Sequence, residues 1–442
     1  MCEGPSVHHL AVFDKLQRLR AYNSSRTRAI TFEELPFAPA PVGMELSPHY
    51  SSVTTFVSGT YDNNDALCVH VMQMPSAMRG LEERRWTIEL GAPYELLGVD
   101  ASQDLLVVQE PADISVSLTA TVCMLTLSTG ESHPLALDTR IRMQFSHRVE
   151  VFGDYCAAES DSGAEREHPW FTIWNWKTSA EVEMSRFGLG SAMRDFAFLD
   201  SSHVAILQLD YHIYVYELGT GHHPTTFKLP PDSRPWNMWN MGLATSNSVS
   251  DTDHPGVFHP DPSARIVSIF SPSDDFLLAV PVGTFLGAAW STTVPWADWG
   301  PACRLIPCHL PGVLPCPCHS EGALSCVGQS SAMRVVVFQP ITGEGPDSGH
   351  VAVLADFHPE RVAQARLRGP DGLVEAKPDE GPSGRLTNAA LPYVRREFKM
   401  PWDGERVDRP YKVLLCEDQL FVFELLPGED HDSLVKAWAC TI

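Results

Sequence analysis

Short apolar runs rich in Val, Ile, Phe, Tyr and Trp alternate with clusters of turn residues along most of this chain, the pattern of strands and hairpins. The beginning differs. Leu10, Val12, Phe13, Leu16 and Leu19 fall at helical spacing, with Lys15, Arg18 and Arg20 between them and Asn23-Ser24-Ser25 as a stop. One short amphipathic helix is predicted, which either docks on the body of the protein or holds a partner. Phe37-Ala38-Pro39-Ala40-Pro41 then reads as a proline-broken linker, because proline removes a backbone donor and disfavours helix before it. Residues 1–45 are accordingly assigned to helix and linker, and 46–442 to a β domain, since helical periodicity nearly vanishes from about Ser51.

Within the β domain one phrase recurs: an apolar run, a polar residue, then Thr-Gly or Thr-Ser. It ends at Thr129-Gly130, Thr178-Ser179, Thr220-Gly221 and Thr342-Gly343, and the first three threonines lie 49 and 42 residues apart. That is the repeat length of four-stranded propeller blades, with each phrase a strand entering a hairpin. A second pattern agrees. Leu96–Asp100 followed by Leu105–Val108 matches Phe196–Asp200 followed by Val204–Leu207, with the aspartates 100 residues apart, and Val149–Cys156 takes the intermediate place. The prediction is an all-β propeller of about seven four-stranded blades, with six to eight allowed by the length. Such sheets are apolar on both faces, so they must cover one another. Long loops are expected near 157–168, 230–265, 300–333 and 366–386, where Pro, Gly and acidic residues interrupt the rhythm.

Composition changes this picture little. With 44% apolar and 20% charged residues the chain has ample material for a core. The net charge of −23 repels phosphate backbones and anionic membranes, so neither nucleic acid nor a membrane is expected as a partner. No basic stretch followed by an apolar segment marks the N-terminus, and no run reaches the ~18 apolar residues of a membrane span. An intracellular location, cytoplasmic or nuclear or both, is expected, with the 11 cysteines mostly reduced.

The strand-end phrase resembles the WD-repeat signature, in degenerate form. Trp174, Tyr216 or Phe338 stands at the Trp position and Asn175, Glu217 or Gln339 at the Asp position. A longer likeness runs through Leu16–Tyr22, Arg79–Thr87, Gln103–Val108, Leu127–Leu135, Trp174–Lys177 and Val294–Pro301. In that order these segments resemble the C-terminal region of fungal, basidiomycete-type F-box proteins. The resemblance implies a propeller-like substrate-recognition body and, through the family, a ubiquitin-ligase adaptor as partner. The F-box itself is not visible: few residues precede the helix, and Pro39 and Pro41 preclude helices after Glu34-Leu35-Pro36. Adaptor binding therefore has no residue in this chain to support it.

Candidate chemistry is sparse. Cys303, Cys308, His309, Cys316, Cys318, His319 and Cys326 are soft ligands, but their spacing is irregular for zinc, and no metal or cofactor is assigned. Gly188-Leu189-Gly190-Ser191 lacks the closing glycine of a serine elbow, and no phosphate loop or zinc-hydrolase motif occurs. Trp174 and Trp176 alternate on one strand and should wedge between blades. Trp236, Trp239, Trp296 and Trp299 lie in or near loops, where they are either interface anchors for a protein partner or buried beneath the loops. The first reading makes them the candidate binding residues of a non-enzymatic, protein-binding propeller. The alternatives are a propeller hydrolase of glycosidase or lactonase type, with carboxylates around its channel, and a degenerate family member without function.

Overall fold

The computed structural model describes residues 2–3, 13, 16–17, 20, 33–34, 55–61, 66–73, 82–111, 119–144, 148–160, 170–182, 193–208, 210–220, 223–229, 242–245, 258–259, 264–271, 276–289, 291–307, 330–331, 333–340, 350–369, 372–375, 389–399, 411–415, 419–426 and 433–441. Their regular structure is β almost throughout, so the fold class is all-β. Two compact units are present: residues 1–190 with 247–260 and 418–442, and residues 191–246 with 261–417. Among the described residues no helix is long and apolar enough to cross a membrane.

In the first unit, antiparallel sheets succeed one another along the chain. Thr55–Tyr61, Leu67–Gln73 and Arg84–Glu89 make one sheet. Glu95–Asp100, Leu105–Gln109, Thr119–Thr126 and Arg140–Gln144 make the next. Arg148–Phe152, Tyr155–Ser160, Trp170–Asn175 and Ala180–Val182 make a third. The strand pairs read from the sequence open the latter two sheets, with Val99 opposite Leu106 and Val151 opposite Cys156. Alternation along the strands then decides the packing. Leu106, Val108 and Cys123 face Val57, Val69, Val71 and Ile88 of the preceding sheet, while Leu105, Val107, Val122 and Met124 face Val149, Val151, Cys156 and Trp174 of the following one. Each large aliphatic side chain buried this way contributes about 1.5–3 kcal/mol, which a sheet standing alone would forgo.

Glycine sets how closely two of these sheets approach. A Cβ on Gly98 would lie 2.7 Å from the Val149 carbonyl oxygen, so a side chain there would drive the opening strands of the second and third sheets apart. The N-terminal segment also takes part in β structure. Glu33–Glu34, inside the span read as helix and linker, pairs antiparallel with Ser433–Thr441, which pairs in turn with Gln419–Leu426. Of the predicted helix, Phe13, Leu16, Gln17 and Arg20 are helical, and Phe13 and Leu16 are exposed.

The second unit repeats the scheme. Met193–Asp200, His203–Gln208, His212–Glu217 and Thr225–Lys228 form one sheet, to which Thr293–Val294 adds in parallel. Gly242–Thr245, Ile266–Ser271, Phe276–Pro281 and Arg304–Pro307 form the second. Ser330–Ser331, Arg334–Pro340, His350–Asp356, Tyr393–Lys399 and Leu373–Val374 form the third. The middle sheet again buries both faces: Val267, Ile269, Leu278 and Val280 against Ala197, Leu207 and Ile213, and Ile266, Leu277, Ala279 and Ile306 against Val335, Val337 and Val353.

Three expectations need correction. The WD-repeat resemblance implies that each phrase closes a third strand; those ending at Thr129, Thr178 and Thr220 do so, but Val337-Phe338-Gln339 lies on a second strand. An apolar run entering a polar turn marks any hairpin, whatever its place in the sheet. The spans read as long loops contain strands as well, namely the end of Tyr155–Ser160, Gly242–Thr245, Phe258–His259, Arg304–Pro307, Ser330–Ser331 and Leu373–Val374. Helices also occur beyond Ser51: Val282–Leu286, Trp296–Trp299 and Pro359–Arg368. The last buries only Val362, so it carries no apolar stripe for a periodicity search to find.

Candidate protein-binding surface

The two candidate tryptophans that the structure describes are core residues, which corrects their reading as surface anchors. Trp296 and Trp299 occupy one helical turn and are 8% and 3% exposed. Their rings meet edge to face at 4.7 Å, Trp299 lies 5.7 Å from Phe227, and its indole N–H donates to the Lys228 carbonyl at 3.0 Å. Pro295 and the following Trp-Ala-Asp-Trp turn fold back over the sheet and carry both rings inward, so position in a connecting segment does not make them exposed. Trp236 and Trp239 lie outside the described residues. Cys303, first of the soft-ligand set, is also buried. Its Sγ donates to the Trp299 carbonyl at 3.4 Å, and burial pushes its thiol pKa well up, away from the thiolate that a metal needs. Cys308 to Cys326 lie outside the described residues.

The strap that follows the Thr126–Gly130 turn lies partly in the Leu127–Leu135 likeness, but the sequence did not mark it as a surface. Gly130 sits at φ +76°, and a Cβ there would strike Ile88 at 2.4 Å, so glycine is required both by the turn and by the neighbouring sheet. The chain then doubles back: the Glu131 carbonyl accepts from Thr126 N–H at 2.7 Å and Met124 O accepts from His133 N–H at 2.9 Å. His133 is 3% exposed and locks the strap in place. Its Nδ1 accepts from Leu135 N–H at 3.2 Å, which leaves the proton on Nε2, 3.0 Å from the Gln103 carbonyl it donates to. The same imidazole meets Trp176 edge to face at 4.8 Å.

Trp176 carries the lock into the next sheet. Its indole N–H donates to Gly153 O at 3.0 Å, and the Gln103 side-chain amide donates to that oxygen at 2.6 Å and to Asp100 at 2.9 Å. Lys177 lies 5.2 Å over the Trp176 ring, pairs with Asp154 at 2.6 Å, and offers its carbonyl to Leu137 N–H at 2.8 Å. The strap is thus held at both ends by buried or half-buried groups, and such satisfied networks specify one geometry. Its crest is apolar. Leu135 and Leu137 are 58% and 78% exposed, with the exposed carboxylates Glu131 and Asp138 on either side in sequence. This is an apolar pair between two anionic residues on a fixed surface.

Chemistry elsewhere is structural in character. The buried carboxylates Asp195 and Asp356 accept from the N–H groups of Phe196 at 2.8 Å and His358 at 3.0 Å. Asp200 takes His203 Nδ1 at 2.7 Å and Ser202 N–H at 2.7 Å; burial alone would raise its pKa, but these bonds outweigh it and hold the carboxyl below the usual 3.8. Burial, followed by the hydrogen bond to Asp210 at 2.5 Å, pushes the Tyr214 hydroxyl upward and keeps it protonated. Arg304, which composition could not place, is buried at a sheet end, where it donates to Glu375 O at 3.3 Å and lies 5.4 Å over the Tyr393 ring. Among the described residues no group of three or more His, Cys, Asp or Glu is placed to hold a metal ion.

No protein-family model matches the chain, and no curated protein matches it. Among solved structures, the WD40 beta propeller domain of Doa1 aligns at 9% identity and TM-score 0.36, over 94% of this chain and 97% of that one. BamB from Moraxella catarrhalis aligns at 13% identity and TM-score 0.35, over 92% and 97%. Apo AztD from Citrobacter koseri aligns at 9% and 0.39, over 90% and 89%. At scores this low the likenesses carry no argument.

Proposed function

We propose that the chain is a non-enzymatic, protein-binding β-propeller of about seven blades, comparable to the recognition half of an F-box protein. Seven sheets of three or more strands among the described residues support the blade number, and successive sheets covering one another within each unit support the stacking. Pairing of Glu33–Glu34 with Ser433–Thr441 supports one more stacked sheet, built from both ends of the chain within the first unit. The observation that carries the binding role is the exposed Leu135–Leu137 pair on a strap fastened by His133 and Trp176. Apolar side chains held rigidly at the surface lose little freedom on association, so they favour recognition.

The test is quantitative affinity capture from the source cell, comparing the native chain with a Leu135→Asp, Leu137→Asp variant. Depletion of particular partners from the variant is the expected result, and a ubiquitin-ligase adaptor among them would extend the reading to that assembly. Identical partner sets would remove this surface from the binding role.

A further inference from the structure

Resting on the reading of Leu135 and Leu137 as a protein-binding surface, we propose that its occupant is a second copy of this chain, which docks through the Pro359–Arg368 helix. The described residues expose five large apolar side chains: Phe13, Leu16, Leu135, Leu137 and Leu367. Leu367 is the most exposed of them at 87%. It stands in the last turn of the helix between Arg366 and Arg368, both exposed, and Ala363 and Gln364 share its face one turn earlier. Arg366 is ion-paired with Glu375 at 3.0 Å, so Arg368 supplies most of the positive charge next to Leu367 in sequence.

The two surfaces are opposite in charge and alike in apolar content. One offers leucines between Glu131 and Asp138, and the other offers a leucine between two arginines. The chain carries a net charge of −23, so two copies repel unless a cationic face of one meets an anionic face of the other. The helix supplies that face. Because the donor and acceptor surfaces differ, the contact is heterologous and each copy has one of each to offer, which gives head-to-tail association. A contact built on three leucines and surface charges belongs to the weak class of interfaces and weakens as salt screens the charges.

Sedimentation velocity on the full chain tests this. The native protein is expected to show a weight-average mass that rises with concentration up to about 100 μM at low salt and falls back toward the monomer near 0.5 M salt. Leu367→Glu alone and Leu137→Glu alone should each remain monomeric, with unchanged circular dichroism, since both side chains are exposed. An equimolar mixture of the two should form a dimer and nothing larger, because the first variant keeps the strap and the second keeps the helix. A native chain that is monomeric at every concentration overturns the proposal, as does a mixture that fails to dimerise. In either case, partner loss from the Leu135→Asp, Leu137→Asp variant in the capture experiment would leave the binding surface itself standing.

Discussion

In the sheet formed by residues 95–144 the four strands follow directly on one another, and polar groups join the sheet to its neighbour; in the sheet formed by residues 242–307 the chain departs after Pro281, makes two short helices, and returns at Arg304. The first joint is directional. Gln103 and Trp176 both donate to the Gly153 carbonyl, Asp100 accepts from the Gln103 amide and His133 donates to the Gln103 carbonyl, and together these bonds fix how the strap lies. The second joint is volumetric: Phe285, Trp296 and Trp299 fill the space against Phe227 with edge-to-face and tilted contacts of 4.7 to 5.8 Å. Hydrogen bonds leave the crest of the strap free to show its leucines, whereas the aromatic plug consumes its tryptophans. A loop aromatic is therefore a poor guide to a surface, and a buried histidine behind a loop is a better one.

Breaking the volumetric joint should have the largest effect. Trp299→Ala removes contacts to Phe227, Phe285 and Trp296 and leaves the Lys228 carbonyl without its donor, so a loss of about 3–5 kcal/mol is expected in denaturant unfolding. Breaking the directional joint should cost less. Trp176→Phe keeps most of the bulk but removes the donor to Gly153 O, for a loss of about 1–3 kcal/mol. Trp174→Phe is the control, since the Trp174 indole nitrogen is buried without a hydrogen-bond partner among the described residues, and its loss should be the smaller of the two.

Acid sensitivity sharpens the comparison further. The Asp200 carboxyl is held below its usual 3.8 in the folded chain, so its contribution is present above about that pH and disappears as pH falls through the lower folded value. Asp200→Asn should lower stability near neutrality and flatten the acid limb of a thermal-melt profile below pH 4, the ordinary range of the group; an unchanged limb would show that the His203 bond contributes nothing. A gain is expected at Ser179, which sits at φ +56° where the first phrase has Gly130. Ser179→Gly relieves the left-handed strain and should stabilise the unit by about 1 kcal/mol. The smallest effect on folding belongs to Leu137→Asp, within about 0.5 kcal/mol, because that side chain is already in water.

Much of the strand pairing was legible. Paired apolar runs around Asp100 and Asp200 became the opening hairpins of their sheets, and Trp174 and Trp176 entered one cluster as their alternation required. The role of the strap was not, since nothing in Glu131-Ser132-His133-Pro134-Leu135, although part of the Leu127–Leu135 likeness, marks a lock until His133 is seen to reach Gln103, 30 residues earlier. Nor was the inward path of Trp296 and Trp299, which depends on a proline-led turn folding back over a sheet.

Strand alternation and turn chemistry are written residue by residue, so the chain itself determines that sheets form, which faces are apolar and where hairpins close. Which of its many tryptophans and leucines meet water was decided only in three dimensions. Burial is a property of what packs against a side chain, and those neighbours come from distant segments whose meeting no local pattern records.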